Sequence, residues 1–283
     1  MIYIILSILL FSFNNVLWKK NLEAISISFL VAYRAFFTSI ISLVLLFYIH
    51  DLANIRIVDL LRITLGSIFG VIGLFSMLVV VKKASLQWLG IYNLIGLIVS
   101  TLFLFFFEKI DFSKSIFGMA IIVIGFVFFI YFNKQNQLNI SRKQHLLLLL
   151  MTLCFSISSL IHWKNLTSDF PPLLILSNQE LVVFISAFVI TWKNRKNISI
   201  RNLYKNYFTR VILMSFIVFL ALFTSFLGLK ITNPLISSVL FLASPLTTIL
   251  FSYLFFKEKL SIKNFVVILI ISFGTFVLHY YSA

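Results

Sequence analysis

Apolar residues run along this chain in about ten blocks, each near the roughly 20 residues a helix needs to cross the hydrocarbon core of a bilayer. Read as helices, the blocks cover 2–18, 27–49, 60–81, 84–107, 114–132, 146–163, 171–192, 208–229, 233–256 and 262–281. Polar residues gather in the short links between them. Lys82 and Lys83 form almost the whole link between the third and fourth blocks, and the longest polar link is 193–207. No link is long enough to hide a soluble domain. The first block begins at the initiator Met and lacks both a basic leader and a small-residue cleavage site, so it is expected to remain as a helix. The expected fold is an all-α integral membrane protein of about ten transmembrane helices.

Composition strengthens this picture. Hydrophobic types make up 61% of the 283 residues and charged types 11%, against about 25% charged in soluble domains. The one cysteine, Cys154, leaves no disulfide framework and no multi-cysteine metal site. A formal charge of +15 raises the question of nucleic acid. The Lys and Arg residues sit instead in short clusters at the ends of apolar runs, where anionic lipid headgroups attract them. The expected surroundings are a lipid bilayer, with no nucleic acid.

Two stretches recur. Phe11-Ser12-Phe13-Asn14-Asn15-Val16-Leu17-Trp18-Lys19-Lys20-Asn21-Leu22 aligns with Phe155-Ser156-Ile157-Ser158-Ser159-Leu160-Ile161-His162-Trp163-Lys164-Asn165-Leu166. Phe107-Glu108-Lys109-Ile110 aligns, at a slightly larger offset, with Lys257-Glu258-Lys259-Leu260, and Gly125 and Gly274 follow the two glutamates at nearly equal distances. A duplication predicts two five-helix halves, 1–140 and 141–283. An odd number of crossings makes the second copy enter the membrane from the opposite face. Inverted repeats of this kind give many carriers two access states around one midplane site.

The two Glu-Lys-hydrophobic turns with their glycines, the Trp-Lys endings of the first and sixth blocks, Arg34 and Ser244-Pro245 resemble the EamA-like branch of the drug/metabolite transporter superfamily. The resemblance covers essentially the whole chain. Two positions depart from it: Ile95 stands where the repeat would place the partner of Pro245, and Val267 replaces a glycine usual after the second glutamate. These departures bear on the symmetry of the helix kinks. The resemblance implies a central cavity lined by the first to fourth and sixth to ninth helices, with the fifth and tenth peripheral. It also leans toward export and toward both termini inside the cell.

Several residues are costly to place in a membrane unless they have a task. Arg34 lies mid-span, where a cation costs roughly 2.5–3.5 kcal/mol, so it is expected to face a cavity or a counter-charge. Glu180 is the deep carboxylate of the seventh block. It could carry a coupling proton, bind an amino group or pair with Arg34. Arg34 aligns with Asn178 in the repeat, and two residues on a helix turn about 200°, which would aim Glu180 away from the cavity. Ser7, Phe11, Asn14 and Trp18 share one helical face, and Met151, Phe155, Ser158 and His162 share the aligned one. Both are candidate cavity linings, with interhelical packing as the alternative for Asn14 and Ser158. Tyr92 and Asn93 are further lining candidates, while Ser85 and Trp88 sit closer to the boundary, where Trp88 is expected as an interfacial anchor. Gly66 and Gly70 are expected to permit close helix packing. Pro245 is expected to kink the ninth helix, and Glu108 and Glu258 to cap or salt-bridge the following helix.

HExxH, Walker and GxSxG signatures are missing, so no enzyme, cofactor or metal is expected. The leading expectation is a secondary transporter for a small organic metabolite, working by alternating access in the cell membrane (the inner membrane in a Gram-negative source), for which a monomer suffices. Arg34 and Glu180 would take opposite ends of a zwitterion and the aromatic faces an apolar side group, which points to amino-acid-like cargo. The rival is a scaffold or lipid-flipping accessory whose polar residues serve only packing. The odd-numbered links carry most of the 23 Lys and Arg. The positive-inside rule therefore places both termini outside, against the resemblance, and the charge asymmetry is followed here.

Overall fold

The computed structural model describes residues 1–22, 25–49, 55–82, 87–109, 116–133, 141–193, 200–256 and 262–282. The helices are α1 (Ile2–Leu22), α2 (Ile27–Ile49), α3 (Ile57–Val81), α4 (Gln87–Phe103, continued by a π-turn over Leu104–Glu108), α5 (Ile116–Asn133), α6 (Arg142–Thr167), α7 (Pro172–Lys193), α8 (Ile200–Ile231), α9 (Pro234–Phe241), α10 (Ser244–Phe256) and α11 (Ile262–Ser282). Among the described residues, eight helical stretches are long and apolar enough to cross a bilayer, α9 with α10 forming one of them, and two shorter apolar helices accompany them. That makes about ten crossings. Large apolar side chains such as Phe47, Phe107, Phe117 and Phe276 face outward, as they do where lipid is the solvent.

Helix ends follow local chemistry as well as the apolar runs. α6 starts before its apolar block because Ser141 accepts from the Gln144 backbone N–H while the Gln144 side chain accepts from the Ser141 N–H, a reciprocal capping box. Asn233 caps α9 by accepting from Ile236 N at 2.9 Å, and Pro234 occupies the first turn, where its missing N–H costs nothing. The ninth crossing breaks at Leu242 and Ala243, just before Ser244-Pro245. Proline at 245 cannot donate back to the Phe241 carbonyl. α4 carries Ile95 in the aligned region and runs unbroken past it. The kink therefore exists in one half only.

The most extensive helix pairs are α2 with α7, α3 with α6, α5 with α11, and α1 with α8. Exchanging each helix for the one five crossings later returns this same set of pairs. The α5–α11 seam makes the reciprocity visible at atomic scale. A methyl added at Gly125 would meet Ile271 at 2.7 Å, and one added at Gly274 would meet Ile122 at 2.8 Å. Only glycine lets both backbones approach this closely.

Two apolar clusters hold the bundle. One gathers Trp18, Leu22, Leu30, Leu78, Val81, Leu148 and Met151, at the end of the bundle where α1 meets α2. The other gathers Ile4, Leu166, Leu173, Leu174, Leu229 and Leu235 at the opposite end and extends to α5 and α11. The polar middle of the molecule lies between them.

Candidate functional site

A cavity of about 330 Å³ opens in that middle. α1, α2, α3, α4, α6, α7, α8, α9 and α10 contribute its lining, while α5 and α11 contribute no lining residue. Rings from Phe11, Trp18, Phe155, Phe226 and Phe241 face amides from Asn14, Asn15, Asn93 and Gln179 and a series of hydroxyls. The lining residues include just two formally charged side chains, Arg34 and Glu180.

Arg34 and Glu180 are joined. Arg34 Nη1 donates to Glu180 Oε2 at 2.5 Å, and each side chain is only 2% exposed. A buried charge without its counter-charge would cost several kcal/mol, so each residue makes the other tolerable. The expectation that Glu180 turns from the cavity does not hold. α7 packs against both α2 and α3, so two of its faces are in use. Asn178 faces α3, where it accepts from Ser67 Oγ at 2.8 Å and donates to Thr64 Oγ1 at 3.0 Å. The 200° turn then points Glu180 at α2 and Arg34. The Arg34 guanidinium also lies 5.9 Å from the ring centre of Trp18, within cation–π reach.

The two aligned faces both reach the cavity, with Ser7 excepted. Ser7 donates to the Ala221 carbonyl at 2.9 Å in the α1–α8 seam. Asn14 and Trp18 line the cavity. Ser158 lines it too but donates to the Gly66 carbonyl at 2.8 Å, so it serves packing and lining together. His162 lies against Gly66 and meets Phe226 edge-on at 5.4 Å. Several buried polar atoms on this wall have no protein partner: Asn14 Oδ1, Thr152 Oγ1, Arg34 Nε and both ring nitrogens of His162. Native structures leave few such atoms, and each calls for a water or a ligand.

The remaining candidates divide. Asn93 lines the cavity, and Pro245 lines it beside the helix break. Tyr92 is not among the lining residues; its hydroxyl lies 2.7 Å from His145 Nδ1, tying α4 to the start of α6. Ser85, the Trp88 side chain and Glu258 fall outside the described residues. Glu108 forms an ion pair with Lys164 on α6, because the two chain segments end at the same face; the residues leading into the next helix lie outside the described residues. Gly66 and Gly70 permit close packing as expected: methyl groups there would come within 2.8 Å of His162 and 3.3 Å of Ser158. Sequence reading passed over Thr152, Ser225, Ser237 and Ser238. Isolated hydroxyls in apolar helices are common, and only the cavity distinguishes these from packing serines.

Comparison with known proteins agrees with this architecture. Twenty-eight chains of solved structures are similar to this one. One, a crystal structure described only as that of a protein, superposes with a TM-score of 0.75 over 99% of this chain and 96% of that one, at 15% identity. Likeness at that identity speaks for the fold alone. No curated protein matches the sequence. Residues 142–280, from α6 into α11, match the family model described as EamA-like transporter family. On a fold of about ten crossings that encloses a polar cavity, residues 142–280 thus belong to the EamA-like transporter family, a family of the drug/metabolite transporter superfamily.

Proposed function

We propose that the protein is a secondary transporter that carries a small amphipathic metabolite, amino-acid-like in character, across the cell membrane by alternating access. The observation that carries this reading is the central cavity itself. Residues that carry buried polar atoms without protein partners line it among aromatic rings, at a depth where a purely structural core would be apolar. Its size suits a molecule of amino-acid dimensions, and most small-ligand sites combine apolar walls with a few placed polar groups in this way. The chain works as two inverted repeats, 1–140 and 141–283. The reciprocal helix pairs favour this, because such symmetry gives two rocking states around one site. The family resemblance favours export, and a monomer suffices.

Purified protein in liposomes provides the test. Saturable counterflow of a small solute is expected; a scaffold or lipid-flipping accessory would give none. Orientation is a separate part of the proposal. Lys and Arg in the odd-numbered links put both termini outside. A C-terminal fluorescent fusion that stays dark in the periplasm or its equivalent is the expected readout, and cytoplasmic fluorescence would reverse the assignment.

A further inference from the structure

The ion pair on the cavity wall carries information about the charge of the cargo. Arg34 and Glu180 are the formally charged groups among the lining residues, so the wall is electrically neutral as it stands. Each is 98% hidden from solvent, and they bridge α2 to α7, the two helices that pair across the two halves. The bond uses Nη1 of the guanidinium. Nε, on the opposite edge of the same planar group, has no partner in the protein. A guanidinium edge formed by Nε and its neighbouring Nη is the fork that carboxylates grip with two parallel hydrogen bonds. The group is therefore neutralised on one edge and one acceptor short on the other.

Electrostatics then sorts possible ligands. A carboxylate alone on that edge would leave the pocket with an extra buried negative charge. An ammonium alone on Glu180 would leave an extra positive charge. Either is disfavoured beside side chains that are themselves only 2% exposed. A molecule with a carboxylate and an ammonium a few bonds apart meets both groups and keeps the sum at zero. Trp18 beneath the guanidinium and the rings of Phe11 and Phe155 offer an apolar bed for whatever side group such a molecule bears.

We propose that Arg34 and Glu180 form a zwitterion receptor, in which the cargo carboxylate docks on the Nε edge of Arg34 and the cargo ammonium on the Glu180 carboxylate. This deepens, and rests on, the transporter reading. It makes the pair a selectivity device, since one partner alone would admit ions of a single sign. It also ties occupancy to the α2–α7 contact, because the cargo shares the groups that join the halves.

The test uses the full-length protein in detergent and reads binding as thermal stabilisation. The probes are the standard amino acids. For each one that binds, its methyl ester (a cation) and its deaminated carboxylic acid (an anion) are added. At least one amino acid should bind, with both charge-edited analogues weaker by about 100-fold or more. Binding by no amino acid, or a smaller difference for either analogue, overturns the proposal. The double variant Arg34→Gln with Glu180→Gln keeps a hydrogen-bonding pair without charge, and it should lose the preference for zwitterions. Retention of that preference by the folded double variant also overturns the proposal. The wild-type series decides the matter if the variant fails to fold. Counterflow tells the two readings apart. Counterflow of uncharged solutes without zwitterion binding keeps the transporter and removes the receptor. Zwitterion binding without any counterflow keeps the receptor and removes the transporter.

Discussion

α1 and α6 align residue for residue, yet they use their polar faces differently. α6 packs on α3 through three small positions: Gly66 meets His162, Gly70 meets Ser158, and Gly73 meets Phe155. At that distance Ser158 reaches the Gly66 carbonyl and is satisfied within the protein. α1 packs on α8, where Gly228 takes Ile4 near the helix start and Met214 meets Asn21 near its end. Asn14, the residue aligned with Ser158, keeps its carbonyl oxygen without a partner. The end positions diverge as well. Trp18 lies beneath Arg34, whereas the aligned His162 is an unpartnered ring against Phe226. The repeated scaffold is thus shared, while the polar chemistry is distributed unequally between the two walls. A symmetric fold with an asymmetric wall can hold one cargo in one orientation.

The largest effect is expected where the α1 wall meets its charge. Arg34→Ala leaves Glu180 buried alone, which should cost about 3–5 kcal/mol and abolish counterflow. Arg34→Gln combined with Glu180→Gln should regain most of the folded yield lost by either single change, measured by thermal unfolding. No recovery would show that the two residues are not energetically coupled.

Next comes the α6 wall. Gly66→Ala brings a methyl within 2.8 Å of His162 and is expected to cost about 1–3 kcal/mol by overpacking. Met214→Leu in the α1–α8 seam, close in volume, should stay within about 1.5 kcal/mol. Equal costs from the two changes would remove the difference between the seams.

The aligned pair Asn14 and Ser158 sharpens the comparison further. Ser158→Ala loses a buried hydrogen bond and should destabilise by about 1 kcal/mol, with a modest effect on flux. Asn14→Ala removes an oxygen that has no protein partner, so unfolding should change by roughly 0.5 kcal/mol or less while counterflow falls severalfold. A reversed order would mean that Asn14 serves packing and Ser158 serves cargo. The smallest effect is expected at Pro245→Ala. Proline sits in the first turn of α10, where it is well tolerated, so stability should hold within about 0.5 kcal/mol. Turnover should slow as the break between α9 and α10 stiffens.

Much of the fold could be read from the sequence because the bilayer imposes length and apolarity on each crossing. The boundaries that moved furthest belong to α1, α6 and α8, where helices continue into polar residues that no apolar count includes. The capping box at Ser141 and Gln144 was the available signal for α6. Arg34 and Glu180 stood out because charge at depth is costly. Their partnership depended on α7 sitting between α2 and α3, a tertiary fact that helical spacing alone turned the wrong way. Tyr92 misled for a related reason. Its position along α4 resembles that of Asn93, but one residue is a 100° turn, and its hydroxyl meets His145 instead.

Alternating access, as proposed, requires the central cavity to open to each side of the membrane in turn, and its accessibility can be measured directly. Ser159 lines the cavity, and Cys154 is the one native cysteine. In a Cys154→Ala background, Ser159→Cys gives a single reporter thiol. A membrane-impermeant thiol reagent, added to sealed vesicles from one face or the other, should modify Cys at 159 from both faces. A transported solute should slow the modification. Modification from one face only, whatever solute or gradient is present, would contradict alternating access.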